Sequence, residues 1–205
     1  MKKLLKIQSS LFSESGQSSQ LADRFVTQWL SSNPRGTVVT RDLSRDPIPH
    51  LTAERFQAFL TKPEDRSDEQ CKVVAFSDSL IQELQAADTI VLTAPMYNFN
   101  IPSTLRAYFD HIARSGVTFR YTANGPEGLI KGKKTYVIVT RGGLYDASNH
   151  PQSAYLRQFL SFIGLDDLEF IYAEGLALGA ESAEKHLASA RHTIAQLLPA
   201  QTLAA

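Results

Sequence analysis

Residues 88–95 read "DTIVLTAP", and the run "TIVL" inside them shows no alternation of polar and apolar side chains. A strand with one wet face alternates, whereas a strand covered on both faces is apolar throughout. "KKTYVIVT" (133–140) carries a second run of the same kind, "YVIV". Two such strands require a sheet with helices on both sides. Directly beyond the first run comes "APMYNFNIP" (94–102), which places a Met, two aromatic residues and two Asn where a buried strand ordinarily turns through Gly, Asp or Ser.

Outward from this centre, short apolar runs alternate with amphipathic stretches. "LLKI" (4–7) is a strand, and a Ser- and Gly-containing loop leads to a helix with Leu21, Phe25 and Trp29 on one face. "TVVTRDL" (37–43) is a strand, after which Pro47 and Pro49 prevent helix. Residues 51–66 have no decided pattern, and the charge-rich segment 55–70 reads as a solvated face. Val73, Leu80, Ile81 and Leu84 mark a helix before the central strand. Leu105, Phe109 and Ile112 mark one that starts near Pro102, a residue suited to a first helical turn. Leu156, Phe159, Leu160 and Ile163 share a helical face, "DLEFIYAEG" (167–175) is the fifth strand, and Leu187, Ile194, Leu197 and Leu198 belong to a closing helix. Strands that alternate with helices connect by right-handed crossovers. The expected fold is an α/β, three-layer, doubly wound five-stranded parallel sheet of the flavodoxin-like kind, as one domain over 1–205.

Composition narrows the function. Lys+Arg and Asp+Glu balance at 21 each, against the excess of cations that a nucleic-acid surface needs. The balance also speaks, more weakly, against an electron carrier that docks through a one-signed face. The single cysteine, Cys71, supports neither a disulfide framework nor a cysteine metal site, and reads as a structural or surface thiol. The five histidines show no metal-binding spacing, so no metal is expected. With neither a signal-peptide pattern nor an apolar run long enough to span a bilayer, a cytoplasmic protein is expected.

In an open α/β sheet, ligands bind beyond the carboxyl ends of the strands near the switch in strand order. The loops that meet there are "SSLFSESGQSS" (9–19), "PMYNFNIP" (95–102) and "RGGLY" (141–145). The first offers hydroxyls and the free N–H groups of a helix start, the natural seat of a phosphate; its plainer reading is an N-cap in a Ser-rich turn. It contains neither a dinucleotide fingerprint nor a triphosphate loop, and no lysine, so a monophosphate is the better guest. The second has sulfur and aromatic surface for a flat ring and an amide, Asn98, for heteroatoms; alternatively Tyr97 and Phe99 fill core. The third has two glycines, for a tight turn or for close backbone approach. A monophosphate, a sugar-like chain and a heteroaromatic ring occur together in flavin mononucleotide, FMN.

"APMYNFNIP", "GVTFRYTANGPEGLIKGKK", "TRGG", and "FIGL" followed by "AEGLALG" resemble the family of FMN-dependent NADH azoreductases and quinone reductases, over essentially the whole chain. The resemblance implies a homodimer with one FMN per subunit and two-electron, ping-pong transfer from NADH, with NADPH as a further donor, to quinones or azo compounds. It implies cofactor binding by Ser10, Gly16, Gln17 and Ser18; by Pro95, Met96, Tyr97, Asn98 and Phe99; and by Thr140, Arg141, Gly142 and Gly143. Gly16 and Thr140 stand where some members have Ser, which at Gly16 leaves a backbone amide to serve. Phe119, Tyr121, Tyr145 and Phe162 are the implied substrate pocket, and Tyr145 replaces a His of other members. No catalytic side chain is implied, because the flavin carries the chemistry. Toward the cofactor phosphate, the side chains of Arg120, Arg141 and Lys131 read as surface or interface charges instead. On the residues alone, a flavin electron shuttle and a non-enzymatic binding module on the same fold remain the competing classes.

Overall fold

The structure is a computed structural model and describes residues 1–146 and 150–198. Its main sheet has five parallel strands in the order β2-β1-β3-β6-β7, with β1 Lys3–Gln8, β2 Thr37–Asp42, β3 Thr89–Pro95, β6 Lys134–Thr140 and β7 Asp167–Ala173. The helices are α1 Gln17–Ser32, α2 Ala53–Leu60, α3 Asp68–Ala86, α4 Ser103–Ile112, α5 Pro151–Phe162 and α6 Ala180–Leu197.

The sheet is buried on both faces because its central strands send alternate apolar residues each way. Ile90, Leu92, Val137 and Val139 meet Leu80 and Leu84 of α3, Leu105 and Phe109 of α4, and Leu156 and Leu160 of α5. Val91, Tyr136, Ile138 and Ile171 meet Leu21, Phe25 and Trp29 of α1 and Ala190 and Ile194 of α6. All seven residues of β3 are buried, which is why its sequence does not alternate. Each fully buried Leu or Ile contributes roughly 1.5–3 kcal/mol, so these two layers dominate the stability of the fold.

Several details differ from the sequence reading. The undecided stretch 51–66 contains α2, capped by Thr52, whose hydroxyl accepts from the Arg55 N–H. In α3 the buried valine is Val74, not Val73, because the helix begins at the Ser67 capping box and that start fixes its rotation. Pro102 is the N-cap of α4 rather than its first helical residue, with an extended ψ of 146°. The excursion after α4 holds a two-stranded antiparallel hairpin that the sequence reading does not contain, β4 Phe119–Thr122 and β5 Gly125–Gly128.

The hairpin docks on the end of α5 through glycines. A Cβ on Gly128 would lie 2.1 Å from the Gly164 amide nitrogen, and Gly164 itself has φ +101°. Contact this close requires both residues to lack side chains. It brings the Ile130 N–H onto the Ile163 carbonyl at 3.0 Å and the rings of Phe119 and Phe162 to 4.2 Å.

Candidate functional site

The three predicted loops meet at the carboxyl edge, around a cleft of about 260 Å³. Loop one contributes Ser10, Gly16, Gln17 and Ser18; β3 and its loop contribute Pro95, Met96 and Tyr97; β6 and its loop contribute Thr140, Arg141 and Gly142. Phe12 and Leu176 complete the rim, and neither is a predicted site residue. Asn98, Phe99 and Gly143 lie outside this cavity, as do Phe119, Tyr121, Tyr145 and Phe162.

Loop one is a tight turn clamped from below. Its backbone closes through Ser13 N–H to the Ser10 carbonyl (3.1 Å) and Gly16 N–H to the Ser13 carbonyl (3.3 Å). The Gly16 amide is therefore already engaged, and the free amides are those of Gln17, Ser18 and Ser19, the first three of α1. Gly16 also marks the closest approach: a Cβ there would sit 2.1 Å from the Ser10 hydroxyl oxygen. Ser18 is only 1% exposed and its hydroxyl has no hydrogen-bond partner, as is also true of Ser19. A buried hydroxyl without a partner is costly, so a donor–acceptor pair of this kind at a helix start suits an anion.

The clamp is Asp42, which the sequence reading did not single out. Its carboxylate accepts from the Ser13 hydroxyl at 2.5 Å, from the Ser44 N–H at 2.9 Å and hydroxyl at 2.8 Å, and from the Gln8 amide at 3.3 Å. Burial pushes the carboxyl up, but the donors from Ser13, Ser44 and Arg45 together hold it below the usual carboxylate range. A depressed folded-state pKa stabilises the fold above the unfolded value and loses that contribution as pH falls through the folded one. Stability measured by urea unfolding should therefore fall as pH drops below about 4. The fall should be shallower in Asp42→Asn; equal slopes would remove Asp42 as the clamp.

In the second loop, Met96 N–H bonds the Thr140 carbonyl at 2.8 Å and so fastens β3 to β6 at the cleft floor. Tyr97 and Asn100 then exchange backbone bonds of 2.9 and 3.1 Å across a turn whose central residues are both left-handed, Asn98 at φ +50° and Phe99 at φ +66°. Asn tolerates this region, whereas a bulky aromatic residue is strained there. The turn projects Phe99 into solvent, 71% exposed, instead of into core. In the flavin-free single chain, where Phe99 is exposed, Phe99→Gly should raise stability by on the order of 1 kcal/mol by relieving the strain. A fall in Tm would show that Phe99 packs in a way that outweighs it.

In the third loop the backbone, not the side chain, of Arg141 faces the cleft. The side chain is fully buried, which corrects its reading as a surface or interface charge. It donates to Glu174 at 2.8 Å, to Gln152 at 3.1 Å and to the Ser153 hydroxyl at 2.7 Å, while Gln152 donates to the Ala94 carbonyl at 3.0 Å. This buried network ties α5 and β7 to the end of β3 directly below the cleft. Sequence reasoning missed Gln152, Ser153 and Glu174 because their roles appear only when three elements meet. Arg120 pairs with Glu127 across the hairpin at 2.7 Å and Lys131 with Asp166 at 3.0 Å, both exposed.

The aromatic residues of the implied pocket form two groups. Phe119 packs on Phe162 with the rings tilted by 41° and meets Tyr121 edge-on at 5.6 Å, with Tyr121 74% exposed. Tyr145 packs edge-on against His150 at 4.8 Å and crowds Gly143, where a Cβ would be 3.2 Å from its ring. A larger cavity, about 530 Å³, opens at the opposite edge of the sheet, between the pairs Lys131–Asp166 and Lys134–Asp167. Lys133 in its lining donates to the Gln85 carbonyl at 2.6 Å and Asp88 accepts from the Lys3 N–H at 2.8 Å, and the cavity is remote from the carboxyl ends. No helix among the described residues is long and apolar enough to cross a membrane.

A five-stranded parallel sheet in this order, with a cleft at its carboxyl edge beside the start of α1, defines a flavodoxin-like fold. The family model described as flavodoxin-like fold matches residues 2–198. An FMN-dependent NADH:quinone oxidoreductase of Cellvibrio japonicus (strain Ueda107) is 53% identical over 98% of this chain and 100% of that one. FMN-dependent NADH:quinone oxidoreductase 6 of Burkholderia lata is 53% identical over 95% of this chain and 99% of its own. Among solved structures, an FMN-dependent NADH-azoreductase from Bacillus anthracis str. Ames Ancestor in complex with FMN superposes with a TM-score of 0.84 at 26% identity, covering 97% of this chain and 100% of that one. The chain belongs to the family of FMN-dependent NADH:quinone oxidoreductases.

Proposed function

We propose that the protein is an FMN-dependent oxidoreductase that moves two electrons from NADH, or from NADPH, to quinones and to the azo bond of aromatic azo compounds by a ping-pong route. The observation that carries the reading is the unpartnered, buried Ser18 hydroxyl at the start of α1, facing a cleft walled by Met96, Tyr97 and Gly142. The donor set fits FMN: Ser10, Gln17 and Ser18 receive its phosphate, with Gly16 making room for that group. Pro95, Met96 and Tyr97 wall its ring, Asn98 and Phe99 cover the outer edge, and the backbone from Thr140 through Arg141 and Gly142 to Gly143 meets the heteroatom edge. When bound, FMN supplies the two-electron redox chemistry.

The chain's own residues bind, orient and exclude water. A cleft of about 260 Å³ encloses only part of a flavin nucleotide, so the rest requires further cover. The exposed aromatics Phe12, Phe99 and Tyr121 suit burial against a second copy, which supports a homodimer in which Phe119, Tyr121, Tyr145 and Phe162 complete the substrate pocket. Donor and acceptor would use one open face in turn, an arrangement that suits ping-pong kinetics. The chain acts as one flavodoxin-like domain in the cytoplasm. The test is anaerobic: NADH should bleach the visible spectrum of the FMN-loaded protein, and benzoquinone or an azo dye should restore it. A spectrum unmoved by NADH and NADPH would refute the proposal.

A further inference from the structure

On the other side of Tyr97 lies a second cavity, of about 450 Å³. Tyr97 lines both cavities, and its hydroxyl accepts from the Leu11 N–H at 3.4 Å, so one ring forms the partition between them. The second cavity is apolar at Leu11 and Pro102 and amide-bearing at Asn98 and Asn100. Among the described residues that line it, the one charged side chain is Arg106. Its guanidinium lies over the Tyr155 ring, 5.1 Å from the centroid, and its Nε donates to Asp110 at 3.2 Å.

Stacking on Tyr155 sets the guanidinium in place, while an exposed i,i+4 pair such as Arg106–Asp110 is weak and exchanges readily for a better anion. A planar cation beside apolar and amide surface, next to a slot for flat molecules, matches an aromatic molecule that carries an oxyanion. We propose that this cavity is an annex of the acceptor site that takes the sulfonate or carboxylate arm of a flat aromatic acceptor, with Arg106 selecting for that charge. The proposal rests on the oxidoreductase reading above. It goes beyond that reading in naming a charge preference and the residue that sets it.

The matched acceptors 1,2-naphthoquinone-4-sulfonate and 1,2-naphthoquinone differ only in the anionic arm. With the FMN-loaded protein and NADH, the ratio of kcat/KM for the sulfonated over the neutral quinone should fall about tenfold in Arg106→Gln, mainly through KM. In Arg106→Lys it should stay within about threefold of the wild type. Equal changes for both quinones, or no change for the sulfonated one, would overturn the annex. A KM increase for NADH alone would assign the cation to the donor's diphosphate and equally overturn it. Calorimetric binding of the sulfonated quinone to the oxidised FMN-loaded protein separates this idea from the reading beneath it. If neither quinone is reduced yet Arg106→Gln weakens binding about tenfold, the annex stands and the oxidoreductase reading falls; if binding is unchanged, the annex falls.

Discussion

Replacing Arg141 by Ala is expected to cost about 3–5 kcal/mol, the usual consequence of leaving one member of a buried ion pair without its partner. Glu174 would keep a charge that is only 13% exposed, and the Gln152 amide oxygen and the Ser153 hydroxyl oxygen would each lose the guanidinium N–H they accept from. For a chain of this length the loss corresponds to a drop in Tm on the order of 10 °C. Because native proteins are stable by only about 5–15 kcal/mol, the variant would sit near the limit of folding. Adding Glu174→Gln to Arg141→Met should recover part of the loss, since the remaining buried charge is removed. A Tm unchanged by Arg141→Ala would mean that the network below the cleft does not hold α5 and β7 to the end of β3.

The second large effect is on binding. Ser18→Asp places a carboxylate where the phosphate of FMN is proposed to lie, and repulsion between two anions in a partly buried site should weaken FMN at least about 100-fold. The fold should be kept, because an acidic residue in the first turn of α1 complements the helix dipole, and that turn now holds no acidic residue. Ser18→Ala removes one hydrogen bond and should cost about fivefold to tenfold. The contrast distinguishes a site from a fold defect: circular dichroism and Tm remain near wild type while flavin affinity falls. Retained affinity in Ser18→Asp would move the phosphate away from α1.

The central sheet could be read from the sequence because burial on both faces leaves a plain mark, the unbroken runs "TIVL" and "YVIV". Those strands then place three loops together by topology alone, and most of the residues expected to bind a cofactor do line one cleft. The hairpin left no such mark: β4 has four residues, and β5 reads "GPEG", a sequence of low strand propensity. It exists because Gly128 and Gly164 permit backbone contact and because Phe119 packs on Phe162 at 4.2 Å. Side-chain direction was the other illegible quantity. Nothing in "TRGG" says that Arg141 turns inward, since its partners come from α5 and from the end of β7. Nor does "YNFN" declare two successive left-handed residues, which turn Phe99 outward and leave Asn98 at the neighbouring cavity.

The most direct test of the cleft is a fluorescence titration of the apoprotein with FMN and, separately, with riboflavin. The two ligands share ring and side chain and differ only in the phosphate. If the start of α1 receives that group, FMN binds at least about 100-fold more tightly than riboflavin, in line with several charge-assisted hydrogen bonds, and Ser18→Asp erases most of the difference. Equal affinities for the two ligands in the wild type would contradict the account.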